Sequence, residues 1–182
     1  MWSPCWVWES EIPDDICEKI ISYSDLVSYK SGETQSGVDG GRKVDVKFLN
    51  DEFNWINAVT IGYVIFANDK SFNYKLSMSD KEGVQLSHYK IGQFYTKHVD
   101  YNRNPANVAH TRKLSMSIQL SDENSYEGGD LLIDYSGDTY HAPRSKGSVI
   151  VFDSRLTHEV TPVTRGERYS LVKWFHGDEP LR

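Results

Sequence analysis

A histidine and an aspartate stand two residues apart in the stretch FYTKHVDY, at the end of an apolar and aromatic run. They are His98 and Asp100, and side chains two apart on a β-strand point to the same face. An imidazole and a carboxylate on one face are either a surface ion pair or two of three metal ligands. The pair alone favours the ion pair, because this spacing often arises by chance.

A third metal ligand would have to come from a distant strand on a facing sheet, and the candidate is His158 in the stretch FDSRLTHEVTPV. Two histidines and one carboxylate form a facial triad with open coordination positions, which favours non-haem Fe(II) chemistry with oxygen. A structural zinc site is more often closed by four ligands, frequently thiolates, and Cys5 and Cys17 are remote in sequence. The alternative for His158 is a histidine of the core.

An arginine and a serine follow in the stretch RYS, again two residues apart. They are Arg168 and Ser170, and an arginine on an inward strand face is costly unless it meets an anion. A guanidinium beside a hydroxyl suits a carboxylate, which it can bind with two parallel hydrogen bonds. The pattern predicts a pocket for a metal ion and a small carboxylic acid. The alternatives are a solvated Arg168, as expected for nearby Arg165, and a Ser170 with no role.

The first 71 residues are predicted to supply mainly helices and a flexible loop. The stretch WVWES alternates apolar and polar residues and could form a short strand. A helix is predicted to start near Pro13, with acidic residues in its first turn that suit the helix dipole. Residues 30–45 are rich in glycine and poor in apolar residues, which predicts a loop. A second helix is predicted from Asn50, its capping residue.

From about residue 72 onward, short apolar stretches alternate with segments rich in turn-forming residues. The stretches predicted as strands are NYKLSM, VQLSHYKIGQFY, KLSMSIQLS, GGDLLIDY, GSVIVFD, HEVTPV and RYSLVKWF. Many short strands at this spacing suggest a sandwich or barrel. Helices followed by strands indicate one α+β domain, mainly β, in which the helices buttress a sheet. We expect a single domain over residues 1–182, with helical support and loop in residues 1–71 and a β core in residues 72–176.

The composition argues against two classes of partner. The formal net charge is −6, so the chain lacks the basic field that drives general nucleic-acid binding. No stretch approaches the apolar length that spans a bilayer, and the N-terminus lacks the pattern of a secretory signal. We expect a soluble, cytoplasmic protein with two reduced cysteines and no membrane partner.

In order, the motifs HVD, GGDLLI, GSVIVFDSRLTHEVTPV and RYSLVKWF resemble those of the Fe(II)- and 2-oxoglutarate-dependent dioxygenases. Within this family the chain is most similar to the prolyl 4-hydroxylase-type branch, over roughly residues 84–175. The resemblance implies a double-stranded β-helix, which is a distorted jelly roll, with N-terminal helices packed on its major sheet.

The resemblance also implies roles for individual residues. The implied iron ligands are His98, Asp100 and His158. Arg168 would bind the distal carboxylate of 2-oxoglutarate with help from Ser170. Further cosubstrate contacts would come from Tyr89, with Tyr95 as a rival, and from Gln119, at a position where relatives often have a tyrosine. Trp174 matches an aromatic residue near the substrate entrance of some relatives. For both tyrosines, ordinary packing on a strand is the alternative.

Two loops are candidates for contacting the substrate. The glycine-rich segment of residues 30–45 is either a lid over the site or a plain surface loop. The stretch YNRNPANVAHTRK follows Asp100 and lies near the mouth of the site by chain continuity. Its cations, Arg103, Arg112 and Lys113, either contact the substrate or are solvated.

The reaction that the resemblance implies is hydroxylation of an unactivated C–H bond. It uses Fe(II), 2-oxoglutarate and O₂, releases succinate and CO₂, and takes ascorbate as reductant. The expected substrate is a proline in a peptide or protein. The alternatives are another protein residue or a free amino acid, a nucleic-acid demethylase, and a non-enzymatic jelly-roll binding protein. The demethylases typically have a second arginine shortly after the cosubstrate arginine, where this chain has Lys173 and Trp174.

Overall fold

Two helices lie in the N-terminal part of the computed structural model, which describes residues 5–25, 30–31, 41–49, 53–77, 82–101 and 111–177. They are α1 (Asp14–Ser22), which a 3₁₀ turn follows, and α2 (Asn54–Ala67), which a π-helical turn extends to Phe72. Pro13 is the N-cap of α1, and two aspartates occupy its first turn as predicted. Phe53 is the N-cap of α2, and the predicted cap Asn50 lies outside the described residues.

Fourteen strands are found in the described part of the chain. The first seven are β1 (Cys5–Trp8), β2 (Lys30–Ser31), β3 (Arg42–Lys43), β4 (Asp45–Leu49), β5 (Val84–Tyr89), β6 (Phe94–His98) and β7 (Thr111–Gln119). The others are β8 (Glu127–Gly128), β9 (Leu131–Tyr135), β10 (Asp138–His141), β11 (Val149–Asp153), β12 (His158–Val160), β13 (Val163–Arg165) and β14 (Arg168–Gly177).

The strands form two main antiparallel sheets. The major sheet has the order β1-β11-β7-β14-β5-β4-β2, and the minor sheet has the order β10-β9-β12-β6-β3. Strands β8 and β13 pair with each other in a small ribbon. The fold is therefore mainly β with two helices, as the sequence predicts.

The two faces of the major sheet differ in chemistry. Its outer face packs against both helices in an apolar core that contains Leu86, Leu114 and Leu171. On the inner face, apolar side chains such as Ile150 pack against Ile133 of the minor sheet. The middle strands, however, turn buried polar side chains inward, at alternate positions. These are Gln85 and Ser87 on β5, Ser115, Ser117 and Gln119 on β7, and Arg168 and Ser170 on β14. Buried polar groups are costly without partners, so this face marks a functional pocket.

The N-terminal part contributes more strand than predicted. The short strand predicted in WVWES is present as β1, which pairs with β11 at the edge of the major sheet. Strand β3 and the first residue of β4 lie inside the stretch predicted as a loop, and β4 pairs with β5. The reason is that long-range pairing partners decide these short strands, and local composition does not show them. The central part of the predicted lid, residues 32–40, lies outside the described residues.

Three predicted strands differ from the structure. The stretch VQLSHYKIGQFY splits into β5 and β6 in different sheets, at a turn where Gly92 has a φ of 76°. The stretch HEVTPV splits into β12 and β13 around Pro162, which has no N–H for a ladder. The stretch NYKLSM forms no strand over its described residues 73–77 beyond a bridge at Ser77. It starts with Asn73 in the left-handed region, which ends the helix before it.

Among the described residues, no helix is long and apolar enough to cross a membrane.

Candidate active site

A pocket opens between the two sheets and encloses about 470 Å³ of space, part of it open to solvent. It brings together eight of the residues singled out in the sequence: Tyr89, Tyr95, His98, Asp100, His158, Arg168, Ser170 and Trp174. Gln119 lines an adjoining pocket that shares Arg168. Arg103 lies outside the described residues.

The two histidines and the aspartate converge at one end of this pocket. Their candidate ligand atoms all lie within 4.8 Å of one another. The Nε2 atom of His98 is 3.7 Å from Oδ1 of Asp100, and Nε2 of His158 is 3.4 Å from Oδ2. The histidines meet because β6 and β12 pair with His98 opposite His158. Asp100 lies beyond the end of β6, so the predicted strand alternation is not what directs it inward.

Both imidazoles are fixed with Nε2 toward the centre of the cluster. Nδ1 of His98 lies 2.8 Å from the carbonyl oxygen of Thr96, and Nδ1 of His158 lies 2.9 Å from that of Leu156. A carbonyl only accepts, so each Nδ1 carries the hydrogen, and in the neutral ring the Nε2 lone pair faces the centre. Tyr95 stacks on His98 at a centroid distance of 3.5 Å. The donor set is thus oriented as a metal site requires.

Asp100 is held by a chain of hydroxyl groups. The Oγ atom of Ser115 donates to Oδ2 of Asp100 over 2.7 Å and lies 2.9 Å from Oγ of Ser154. The backbone N–H of Tyr101 donates to the carbonyl of Ser154 over 2.8 Å. These contacts tie the segment after β6 to β7 and to the end of β11, and they give the carboxylate one orientation.

The electrostatics of the cluster favour a neutral His98 and an ionised Asp100, whereas they favour the protonated form of His158. Burial, and then the neighbouring His158, lower the pKa of His98 to about 4. Burial alone would raise the pKa of Asp100, but hydrogen bonds from His158 and Ser115 outweigh it and hold the pKa below its usual range. Burial likewise opposes the charged form of His158, yet contact with Asp100 leaves its pKa raised. A divalent cation, which needs deprotonated ligands, would displace the proton that contact with Asp100 favours on His158.

Arg168 lies at the other end of the pocket and is only 3% exposed. Its Nε donates to Oε1 of Gln119 over 3.1 Å, and its Nη1 donates to Oγ of Ser170 over 3.2 Å. The ring of Tyr89 lies 5.4 Å from the guanidinium carbon. Within the described ranges, no carboxylate forms an ion pair with this buried cation. A buried charge without a counter-ion is costly, so the site suits an anionic ligand.

Several pocket residues were missed in the sequence. Ser115 and Tyr126 are ordinary in the sequence, and only the fold shows that the first touches Asp100 and the second touches Gln119. Arg42 lies 4.9 Å from the ring centroid of Tyr95, although its stretch was predicted as a loop. The glycine-rich sequence around Arg42 does not indicate a strand. The pairing of β3 with β6 places Arg42 beside Tyr95.

A polar cluster around Glu82 lies next to Trp174, which lines the pocket. Arg112 donates from Nε and Nη2 to the two carboxylate oxygens of Glu82 over 2.9 and 2.8 Å, and its guanidinium carbon lies 3.9 Å from the ring centroid of Trp174. Nε2 of His176 lies 3.5 Å from Oε2 of Glu82. Arg112 therefore is not simply solvated.

The remaining histidines stay outside the metal cluster. His88 pairs with Glu167 at 2.7 Å. His141 is exposed on β10, and His110 lies outside the described residues. Arg165 is exposed and pairs with Glu127 as a surface cation.

Comparison with known proteins gives matches in sequence and in structure. The profile of the 2OG-Fe(II) oxygenase superfamily matches residues 84–176. A PKHD-type hydroxylase of Synechococcus sp. (strain CC9605) is 42% identical over 90 residues, which are 49% of this chain and 39% of the relative. The chain spans about half the length of the curated relatives it matches, with shares from 39% to 57%.

Solved prolyl hydroxylases share the fold over nearly the whole chain. A Pseudomonas putida prolyl-4-hydroxylase superposes with a TM-score of 0.75 at 19% identity, covering 96% of this chain and 92% of that one. A Trichoplax adhaerens prolyl hydroxylase, in complex with a peptide fragment of the hypoxia inducible factor oxygen degradation domain, gives 0.77 at 15% identity, covering 96% and 84%. At these identities the likeness concerns the fold, and it confirms the expected jelly roll with supporting helices.

The superfamily profile covers half of the chain, and the cluster of two histidines and one aspartate lies within the matched residues. The chain therefore belongs to the 2OG-Fe(II) oxygenase superfamily.

Proposed function

We propose that this oxygenase hydroxylates proline in a peptide or protein, as a prolyl 4-hydroxylase, with release of succinate and CO₂. The observation that carries the oxygenase part is the pocket itself, in which an oriented His-Asp-His cluster faces a buried arginine that has no counter-ion among the described residues. The prolyl part is supported by the solved prolyl hydroxylases with the same fold, one of them with a peptide bound.

In this proposal His98, Asp100 and His158 hold Fe(II). Two imidazoles and a carboxylate are the donor set of non-haem iron sites with open positions. The backbone carbonyls that accept from both Nδ1 atoms hold the rings in place. Bound iron would activate O₂ together with 2-oxoglutarate for insertion of oxygen into a C–H bond. The protein supplies the orientation of the three ligands and a site shielded from water.

The cosubstrate is proposed to lie between the cluster and Arg168. Arg168 and Ser170 would bind the distal carboxylate of 2-oxoglutarate by charge-assisted hydrogen bonds. Tyr89, which is buried, and Tyr95, which stacks on His98, would form the aromatic wall. Gln119 would act on Arg168, whose Nε it binds, rather than on the cosubstrate directly.

The substrate is proposed to enter on the side of Trp174. This indole lines the pocket, and Arg112 lies against its ring. Arg103 remains a proposed substrate contact by chain continuity. Ascorbate is proposed as the reductant that returns iron to Fe(II) after uncoupled turnover, as it does in the family that the chain resembles.

The test is turnover of a library of proline-containing peptides with 2-oxoglutarate, Fe(II), ascorbate and air. We expect peptide-stimulated succinate and a mass increase of about 16 Da, one oxygen atom, located on proline by fragmentation. His158→Ala should abolish both products. The matched control is His141→Ala, because His141 is an exposed histidine on β10 and its loss should leave both products unchanged.

A second candidate substrate is a free amino acid or another protein residue, and one contact favours it. The guanidinium of Arg42 lies over Tyr95 near the metal cluster, and its buried Nε has no hydrogen-bond partner within the described segments. An anionic group on the substrate would supply one. Succinate stimulated by free amino acids, with no proline-directed mass shift, would replace the prolyl proposal by this one. Failure of all peptides and amino acids to stimulate succinate would contradict both.

A further inference from the structure

The hydrogen-bonding groups of Arg168 are only partly used. A guanidinium has five N–H donors, and two of them are engaged, by Gln119 and by Ser170. The described residues supply no carboxylate for the remaining donors. An anionic ligand would therefore complete this site. Any further hydrogen bonds to that anion would be donated by side chains next to Arg168.

Gln119 links Arg168 to a buried tyrosine. While its Oε1 accepts from Arg168, its Nε2 donates to the hydroxyl of Tyr126 and to the carbonyl of Ser121, both over 3.1 Å. The amide is thereby fixed in one orientation. The hydroxyl oxygen of Tyr126 accepts from Gln119, so its own O–H is left to donate elsewhere. No acceptor for it occurs among the residues described.

Tyr126 also lies close to Arg168 in space. Gly129, with a φ of 65°, lies next to both side chains. A Cβ added to it would lie 3.0 Å from Cδ of Arg168 and 3.4 Å from Cε2 of Tyr126. Arg144 lies over the ring of Tyr126, 4.3 Å from its centroid. The charge of Arg144 is paired with Asp130, and its Nη2 donates to the backbone carbonyl of Tyr126 over 3.1 Å, so this side chain holds the phenol ring in place.

A second pocket of about 320 Å³ contains both side chains. It is lined by Tyr126, Gln119, Arg144 and Arg168, and it shares Arg168, Ser117 and Leu131 with the metal-cluster pocket. Arg168 thus stands where the two spaces meet. Both side chains line this second pocket, so a carboxylate bound there by the guanidinium would share the space with the phenol.

We propose that the hydroxyl of Tyr126 donates a hydrogen bond to the distal carboxylate of 2-oxoglutarate, beside Arg168. Gln119 is then a positioning residue, which spaces the phenol and the guanidinium so that one carboxylate meets both. The inference rests on the proposed use of 2-oxoglutarate in this pocket. It assigns a cosubstrate-binding role to a residue on the connection between β7 and β8, outside the strands that carry the metal cluster.

The test compares two ligands that differ only at the distal end. 2-Oxopentanoate has a methyl group where 2-oxoglutarate has its distal carboxylate. Affinity for each is measured by calorimetry on the Fe(II)-loaded protein without oxygen. A hydrogen bond to a charged group predicts that Tyr126→Phe weakens 2-oxoglutarate binding at least about tenfold. Binding of 2-oxopentanoate should stay unchanged.

Tyr140→Phe is the matched control, because Tyr140 is an exposed tyrosine on β10. The Tyr126→Phe protein should remain folded, since Nε2 of Gln119 keeps its bond to Ser121, and unchanged 2-oxopentanoate binding verifies the pocket. A merely structural role would lower the unfolding temperature and leave the ratio of the two affinities as in the wild type. That result would overturn the inference while the proposed function stands. A wild-type protein that binds neither ligand would overturn both.

Discussion

At the scale of single residues, the candidate site depends on polar side chains that are buried and almost fully partnered. Asp100 accepts a hydrogen bond from Ser115, and the Nδ1 of each histidine donates to a backbone carbonyl. Such contacts orient metal ligands and tune their basicity, and losing one typically costs 10–100-fold (about 1–3 kcal/mol) in metal affinity. Arg168 differs from these three ligands, because its charge has no partner of opposite sign in the described chain. Asp100 and the two histidines are therefore suited to bind a cation, and Arg168 is suited to bind an anion.

Ser115→Ala should weaken Fe(II) binding by roughly 10–100-fold. The substitution removes the hydroxyl that holds Oδ2 of Asp100, so the carboxylate loses its single orientation. Equilibrium binding of Fe(II) without oxygen measures the effect. Ser87→Ala is the control, because Ser87 is also a buried serine on the inner face and its hydroxyl is bonded to Gln85. Equal Fe(II) affinities for the two variants would show that Ser115 does not position the ligand.

Gln119→Glu would place a carboxylate beside Arg168, which has none among the described residues. The new side chain would lie where Oε1 of Gln119 now accepts from Nε of Arg168, and the hydrogen bond would become an ion pair. We expect a loss of 2-oxoglutarate affinity of more than about tenfold. Calorimetry measures this effect. Unchanged affinity would exclude Arg168 as the carboxylate-binding residue.

At the scale of secondary-structure elements, the cluster around Glu82 joins three segments next to Trp174. Glu82 precedes β5, Arg112 lies on β7, and His176 lies on β14. Burial opposes ionisation of Glu82, but hydrogen bonds from His176 and Arg112 outweigh it and lower its pKa from 4.5 to about 2. A carboxyl group with a depressed folded-state pKa stabilises the fold above its unfolded-state pKa.

The stabilisation from Glu82 should therefore be present above a pH of about 4.5 and disappear as the pH falls toward about 2. Glu82→Gln should lower the free energy of unfolding near neutral pH and flatten its fall across this window. Urea unfolding at a series of pH values measures this. Glu127→Gln is the control, because Glu127 pairs with Arg165 on the exposed surface, where ion pairs contribute little. The same pH profile for wild type and Glu82→Gln would contradict the account.

The elements also show where prediction from the sequence succeeds. Alternation and helical spacing identified α1, α2, β7, β11 and β14, whose patterns are long or strongly apolar. The short strands β3 and β4 could not be read from composition, since pairing with distant strands creates them. The position of Arg42 was hidden for the same reason. Tertiary context decides short strands more than propensity does.

At the scale of the whole molecule, the fold brings distant parts of the chain to one pocket. His98 and His158 were identified by residue type and order, and the pairing of β6 with β12 places them side by side. The sequence does not indicate a role for Ser115, Ser154 or Tyr126. A serine or tyrosine supports a site only through the residues that it contacts in the folded chain. The sequence therefore predicts the groups that do chemistry better than the groups that hold them.

The most direct test of the account measures whether the His-Asp-His cluster and Arg168 form one site. We would measure 2-oxoglutarate affinity without oxygen, with and without Fe(II), in the wild type and in His158→Ala. If the cosubstrate bridges iron and Arg168, Fe(II) should tighten its binding by at least about tenfold, and by linkage 2-oxoglutarate should tighten Fe(II) binding by the same factor. His158→Ala should abolish this coupling. An affinity for 2-oxoglutarate that is the same with and without Fe(II) would contradict the account.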